Sequence, residues 1–381
     1  MSEQFTTTSI RKATLADLAT ALRDQQTRAV DVVVPTTKLA ADAGRLLVSG
    51  AEVELTDDGV TTTDGVYRPT AVANDQLADT LGIPSRYLRK LHADPHLGMW
   101  DTNVNYWLSR LVDKRYLLRA LRGDDGGEGT LRAVLSDQYK MIDNLDVLLA
   151  ALSGIRAAGV PATVESADLT DKRMYVRVAS DAVRAYAPTL LERYRSPFTG
   201  ARGADNPVVF AGFVLTNSEV GHGAFTITPR ITVQVCSNGM TMSTDALRKV
   251  HLGTQLDDGI IQWSDETQRK NTELITAQTR DAVRTFLNVD YITRKIAELE
   301  QAAGTPVTKP DETIKKVAKA QSFTDEQRDS ILNFFIQGGD VTAGGVAQAI
   351  TAYAQTVDDG DAAFDLEARA VPAMHLAATL R

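Results

Sequence analysis

Polar and apolar positions change rhythm along this chain. In roughly the first two thirds, short apolar runs, many with a period of two, are separated by Gly, Asp and Asn. Beyond Thr244 apolar residues recur at helical spacing almost to the end. Thr14 to Arg28 (TLADLATALRDQQTR) predicts a helix with Thr14 as its cap and an acidic first turn. Asp31 to Pro69 predicts short strands joined by Asp-Gly turns. Asn74 to Leu91 reads as helix, turn at Gly82, helix, with Ser85 capping the second. Arg115 to Arg122 (RYLLRALR) and Thr130 to Leu135 (TLRAVL) flank GDDGGEG and predict a hairpin. Asn144 to Ala158 predicts a helix stopped by Gly159. Ala162 to Ser166 and Arg173 to Ala179 predict a strand pair, and Asp181 to Tyr194 a helix. Pro207 to Asn217 and Ala224 to Cys236 are the longest strand-like runs, the second rich in Thr, Ile and Val. Asp265 to Ala303 predicts one long amphipathic helix, with further helices over Thr308 to Ala320, Thr324 to Gln337 and Val341 to Gln355.

Hairpins first and helices later predict an α+β fold: an antiparallel sheet built from hairpins with packed helices, and a helical C-terminal third. Three segments are expected: a helix and short strands over 1–69, an α+β core with a basic aromatic hairpin over 70–260, and a helical region with an acidic tail over 261–381. Gly304 to Pro310 is the best linker candidate, and no repeat of fixed period is visible.

Composition narrows the class. The 381 residues, 43% hydrophobic and 24% charged, suffice for a real core. A net charge of -8 excludes a uniformly basic nucleic-acid coat, though not a local basic face. One cysteine cannot staple the fold, the N-terminus shows no signal-peptide core and no apolar run reaches membrane-span length, so a soluble cytoplasmic protein is expected. Charge is uneven: Arg86 to Arg122 carries eight Lys/Arg against three Asp/Glu, and Lys172 to Arg202 seven against two.

Familiar enzyme signatures are missing. No GxxxxGK[ST], strand-linked GxGxxG, HExxH, CxxC or GxSxG occurs, so a catalytic role is disfavoured and no cofactor or metal is expected. His92 and His96 have helical spacing, but Pro95 between them argues against a shared face. QLADTLGIPSRYLRKL has a helix-turn-helix look, with Arg86, Arg89 and Lys90 on the second helix. An αα corner whose leucines fill the core explains it more simply.

The two basic stretches also hold nine aromatics in a chain that is 6% aromatic. Cations that track a phosphate backbone, interleaved with rings on which bases stack, are what sequence-tolerant single-strand binding requires. The carriers expected are Arg86, Arg89, Lys90, Trp107, Lys114, Arg115, Tyr116, Arg119 and Arg122 in the first stretch, and Lys172, Arg173, Tyr175 and Arg177 in the second. The competing reading makes the rings core and the charges a solvated face.

Two loops around the last long strand form a second candidate, a polar site of Asn217, Ser218, Glu219, Asn238 and His251. Asn238-Gly239 reads as a tight reversal, because both residues tolerate positive φ. Cys236 reads as a small buried hydrophobe, and as a nucleophile only if His251 or His222 stands beside it. NSEVGHG (217–223) reads as a loop ordered by its own polar side chains.

LRAVLSDQYKMIDN (131–144), NSEVGHGAFTITPRITVQVCSNGM (217–240) and KVHLG (249–253) resemble segments of the phage- and plasmid-like proteins grouped as domain-of-unknown-function 932. GGVAQAITAYAQT (344–356) resembles that family's NAVTEY-type helix, with Gln348-Ala349-Ile350 replacing Asn-Ala-Val. The resemblance spans roughly residues 70 to 360. It implies a phage, prophage or plasmid origin and carries over no catalytic residue. A fold-level analogy runs to phage single-strand annealing proteins of the RecT type, which place basic aromatic hairpins around a small sheet and use no ATP.

The expectation is therefore a phage-type DNA-metabolism protein that binds single-stranded nucleic acid, DNA first, without ATP, anneals strands, assembles as a homo-oligomer through 265–303 and has no membrane partner. The alternatives are a hydrolase or nucleotide-processing enzyme using the polar loops, and a phage structural or host-interaction protein.

Overall fold

The structure, a computed structural model, describes residues 9–380 apart from 51–52, 57–58, 63, 94, 112, 124–125, 138, 140–141, 236–238 and 250–264. β1 (Ile10–Ala13) leads into α1 (Leu15–Arg28), which begins in a capping box made by Thr14 and Asp17. The chain then builds a first sheet from β2 (Ala29–Pro35), β3 (Leu39–Asp42) and β4 (Arg45–Val48), with a separate ribbon of β5 (Val53–Thr56) and β6 (Gly59–Thr62), followed by β7 (Gly65–Pro69). Three helices follow: α2 (Ala71–Leu81), α3 (Ser85–Leu91) and α4 (Leu97–Leu108). The expected hairpin, β8 (Arg115–Leu121) with β9 (Gly129–Ser136), completes a six-stranded sheet in the order β2-β8-β9-β7-β4-β3. Its one parallel pair joins β7 to β9, because α2 to α4 and β8 intervene between them.

A second sheet follows α5 (Asn144–Ala158): β10 (Thr163–Leu169), β11 (Met174–Tyr186), the short α6 (Pro188–Leu191), β12 (Val208–Asn217), β13 (Phe225–Val233), β14 (Gly239–Thr241) and β15 (Leu247–Lys249). The order is β1-β10-β11-β12-β13-β14, with β15 also on β13, all antiparallel. The C-terminal part is helical: α7 (Asp265–Phe286), α8 (Val289–Ala303), α9 (Pro310–Ala320), α10 (Asp325–Gly338), α11 (Ala343–Thr356) and α12 (Gly360–Thr379). The α+β class and the helical last third are as expected. Among the described residues no helix is long and apolar enough to cross a membrane.

Two apolar cores result. The smaller joins one face of the first sheet (Val30, Val34, Leu118, Leu131) to α2–α4 (Leu77, Leu88, Trp100, Val104). The larger surrounds the second sheet and holds α1, α5 and the C-terminal helices. The first 69 residues are thus shared, β1 and α1 joining the larger core and β2, β3, β4 and β7 the first sheet. Gly304 to Pro310 separates no unit, since Ala303, Val307 and Ile314 lie in one core.

Several expectations are corrected. Asp181–Tyr186 is not helical: β11 runs on past a register shift between Ser180 and Arg184. The single helix over 265–303 is two, because Asn288 leaves helical geometry and its side chain caps α8. Ser85 is not a cap; Pro84 holds that position, and the Ser85 hydroxyl donates to Asp79. α7 packs on α5 of its own chain so closely that a Cβ on Gly154 would stand 2.7 Å from the Thr276 carbonyl. The face of α7 nearest α5 is therefore not free for assembly.

The second sheet buries both faces. Phe213, Leu215, Val176 and Ile231 point toward the side where α5 lies, Asn217 at the end of that row reaching Asn144. Tyr175, Arg177, Thr228, Arg230 and Thr232 point to the other side, where Tyr175 donates to Asp361 of α12 and Phe364 lies against its ring. A polar layer is thus sealed between sheet and helix.

Candidate nucleic-acid interface

The residues proposed from sequence separate into two groups once placed. Arg86, Lys90, Lys114, Arg115, Arg122 and Lys172 are exposed. Arg89 is exposed and lies 2.8 Å from the Asp75 carboxylate. Trp107 is exposed, Tyr116 and Arg173 half-buried, and Arg173 donates to the His222 carbonyl.

Arg119, Arg177 and Tyr175 are corrections. Arg119 is 3% exposed and donates to Asp31, Asp143 and the Glu219 carbonyl. Arg177 is 3% exposed and bound to Asp168, and Tyr175 is fully buried. None of the three faces a strand of nucleic acid. Burial opposes their charge, yet Asp31 beside Arg119 and Glu367 with Asp168 beside Arg177 keep both guanidiniums charged, their pKa values raised. Of the carriers expected in the second stretch, Tyr175 and Arg177 are thus interior, Arg173 is half-buried and Lys172 is exposed.

Exposed rings and cations also occur on α3 and α4. On α4 the inward positions Trp100, Val104 and Leu108 anchor the helix to the small core. Met99, Asn103, Tyr106 and Trp107 follow helical spacing along the side adjoining that buried stripe, and Arg110 lies just past the helix end. Tyr106 is 52% exposed and Trp107 41%; their rings meet edge to face at 5.3 Å, and the Arg110 guanidinium lies 5.2 Å from the Tyr106 centroid. α3 adds Tyr87, 43% exposed, between Arg86 and Lys90. Exposed aromatic rings beside cations offer stacking and phosphate attraction together. Lys114 and Arg115 stand at the start of β8, where Thr36 donates its amide to the Lys114 carbonyl. Arg122 lines a cleft of about 640 Å³ with Arg45, Tyr67 and the glycine-rich hairpin tip.

The polar loop candidate has a structural place. Glu219 is buried between the two sheets. Its carboxylate accepts from Arg132 at 2.7 Å and from the Asn144 amide at 2.6 Å. Arg132 is the extra residue of a bulge in β9, between the partners of Arg119 and Ala120, which aims it at the second sheet. Burial alone would raise the Glu219 carboxyl, but Arg132 and Arg119 outweigh it and hold it below the ordinary carboxylate range. Asn217 donates to the Ile142 carbonyl and Asn144, Ser218 donates to the Lys172 carbonyl, and Gln76 of α2 donates to the Val220 carbonyl. Val220 fills an apolar patch with Val72, Leu117, Ala133 and Leu135. The loop is a clasp between the two sheets, and the buried, paired Glu219 is unsuited to general-base work.

Asn238, His251 and Cys236 lie outside the described residues. Gly239 is described: a Cβ there would stand 2.0 Å from Arg230 Nε. The glycine makes room for a buried guanidinium. Sequence reasoning counted Tyr106 among the aromatics of the first basic stretch but took neither it nor Arg110 as a carrier; their signal was the helical spacing of 99, 103, 106, 107 and 110. No protein-family model, curated protein or solved structure matches this chain.

Proposed function

We propose that this protein binds single-stranded nucleic acid, DNA first, on the α3–α4 face, without ATP, in phage- or plasmid-type DNA metabolism. The observation that carries the reading is the exposure of Tyr106 and Trp107, in contact with each other and with Arg110 beside Tyr106, and of Tyr87 next to Arg86 on α3. Rings supply stacking surfaces that accept any base, and the cations supply the salt-dependent attraction to phosphate. The rigid helical support favours the role, because both helices are pinned to the small core by Leu88, Trp100 and Val104. The resemblance of 131–144, 217–240 and 249–253 to the domain-of-unknown-function 932 proteins belongs to the same proposal, as do strand annealing, self-assembly and a cytoplasmic setting.

The net charge of -8 restricts attraction to this local face, so binding should be moderate and lost at high salt. Anisotropy of a labelled oligonucleotide, single-stranded against duplex, tests the reading: preference for the single strand that falls when Tyr106 or Trp107 is replaced by Ala supports it, and unchanged affinity in both variants refutes it.

A further inference from the structure

Independently of that face, the polar layer under α12 contains a cavity of about 340 Å³. Every side chain lining it is polar or charged. Two strand irregularities build its wall. In β1 the register slips between Ile10 and Ala13, and Lys12 takes a left-handed conformation with φ +53°, rare for a residue with a Cβ. In β10 the slip between Val164 and Ser166 makes Glu165 the extra residue. Strain and bulges of this kind concentrate where a side chain must be aimed.

The inner charges, Asp168, Arg177, Arg230 and Glu367, are buried, while Lys12 and Glu165 are exposed. Asp168, fully buried, accepts from Arg11 and Arg177 at 2.5 Å each, and from the Lys12 amide at 2.7 Å. Arg230 donates to Glu165 at 2.6 Å and to Thr232. Glu367 of α12 stands between the two inner arginines at long range, 3.6 Å from Arg177 and 3.8 Å from Arg230. Four cations, Arg11, Lys12, Arg177 and Arg230, thus face three carboxylates, leaving one positive charge. Three buried atoms make no hydrogen bond within the protein: Arg177 Nη2, and Arg230 Nε and Glu367 Oε2, which face each other 3.8 Å apart. An unmet buried donor or acceptor costs about 1–3 kcal/mol, and these atoms belong to three side chains that line one cavity.

From this geometry we infer that the cavity binds a small phosphate-class oxyanion carrying at least one O–H, inorganic phosphate or a phosphorylated sugar. Two acceptor oxygens satisfy the guanidinium donors, and the ligand's own O–H donates to Glu367 Oε2. Guanidinium forks match tetrahedral oxyanions. The absence of any ring or aliphatic side chain among the lining residues disfavours a nucleobase or lipid tail. Lys12 sits at the rim, its ammonium donating to the Gln355 carbonyl.

The oxyanion's own proton gives a selectivity test. Phosphate at pH 7 has an O–H to donate and sulfate has none, so sulfate leaves Glu367 facing a bare oxygen. Isothermal titration of the full chain with inorganic phosphate and with sulfate should show phosphate bound at least about tenfold more tightly. Glu367→Gln, whose amide can donate to either ion, should bring the two within about twofold of each other. Lys12→Ala, an exposed change that keeps the fold if Glu367→Gln does not, should weaken both ions about threefold to tenfold. Ribose 5-phosphate binding more tightly than phosphate assigns a phosphorylated sugar; equal or weaker binding assigns the inorganic ion. No heat and no thermal shift with millimolar phosphate, or sulfate bound as well as phosphate by the unmodified protein, overturns the inference. None of these outcomes depends on whether α3–α4 binds nucleic acid.

Discussion

Replacing Glu219 by Gln tests the clasp between the two sheets. The amide keeps an acceptor for the Asn144 N–H, which lies 2.6 Å from Oε1, and nearly the same volume. It loses the ion pair to Arg132 at 2.7 Å. Arg119 retains Asp31 and Asp143, but Glu219 is the only carboxylate within salt-bridge distance of Arg132 among the described residues. Both side chains of that pair are about nine-tenths buried, so the change leaves one buried cation uncompensated, which costs roughly 3–5 kcal/mol. Urea unfolding at pH 7 should show the loss as a lower midpoint with an unchanged slope. Arg132→Met combined with Glu219→Gln should cost less than the two single changes added, by roughly 1–3 kcal/mol. The pH dependence has a definite sign. The folded Glu219 carboxyl titrates below its unfolded value, so its contribution is complete above the unfolded value of about 4.3 and disappears as pH falls through the lower folded value. The stability gap between the unmodified chain and Glu219→Gln should therefore be constant from neutral pH down to that window and close within it. A gap under about 1 kcal/mol at pH 7, or additive single changes, would refute the clasp as a coupled buried pair.

Other substitutions separate interior from surface roles. Arg119→Ala should destabilise the fold by roughly 3 kcal/mol or more, read by urea unfolding, whereas exposed Arg115→Ala should leave stability within about 0.5 kcal/mol while weakening nucleic-acid binding and flattening its salt dependence. Gly154→Ala forces a Cβ to 2.7 Å from the Thr276 carbonyl, and calorimetry should show a loss of roughly 1–3 kcal/mol as α5 and α7 part. Thr14→Ala removes the capping box of α1 and should cost about 1 kcal/mol by the same measurement.

The local elements were legible where one rule governed them. The hairpin 115–136, α1 with its Thr14 cap, and α5 with Gly159 at φ +72° all follow from period and punctuation. Long-range pairing was not. Nothing local says that β7 runs parallel to β9, or that β1 crosses from the N-terminus to β10. The main misreading concerns burial. Thr226, Thr228, Arg230 and Thr232 alternate with apolar residues, as Tyr175 and Arg177 do on β11, and such alternation ordinarily marks a solvated sheet face. Here α12 covers that face and answers its charges with Glu367 and Asp361, so the arginines became interior. The α3–α4 face was half visible: Arg86, Lys90 and Trp107 were singled out, but the ring and cation at 106 and 110 emerge only when the helical phase of α4 is fixed by buried Trp100 and Val104.

The central claim is that α3 and α4 present a stacking surface for single-stranded nucleic acid. Fluorescence anisotropy of a labelled single strand across a salt series, comparing the unmodified protein with Tyr106→Ala and Trp107→Ala, tests it most directly. The account predicts salt-sensitive binding that each substitution weakens by roughly 1–3 kcal/mol, about fivefold to more than a hundredfold, with the salt slope unchanged because no cation is removed. No binding at low salt, or binding that both variants retain in full, would contradict it.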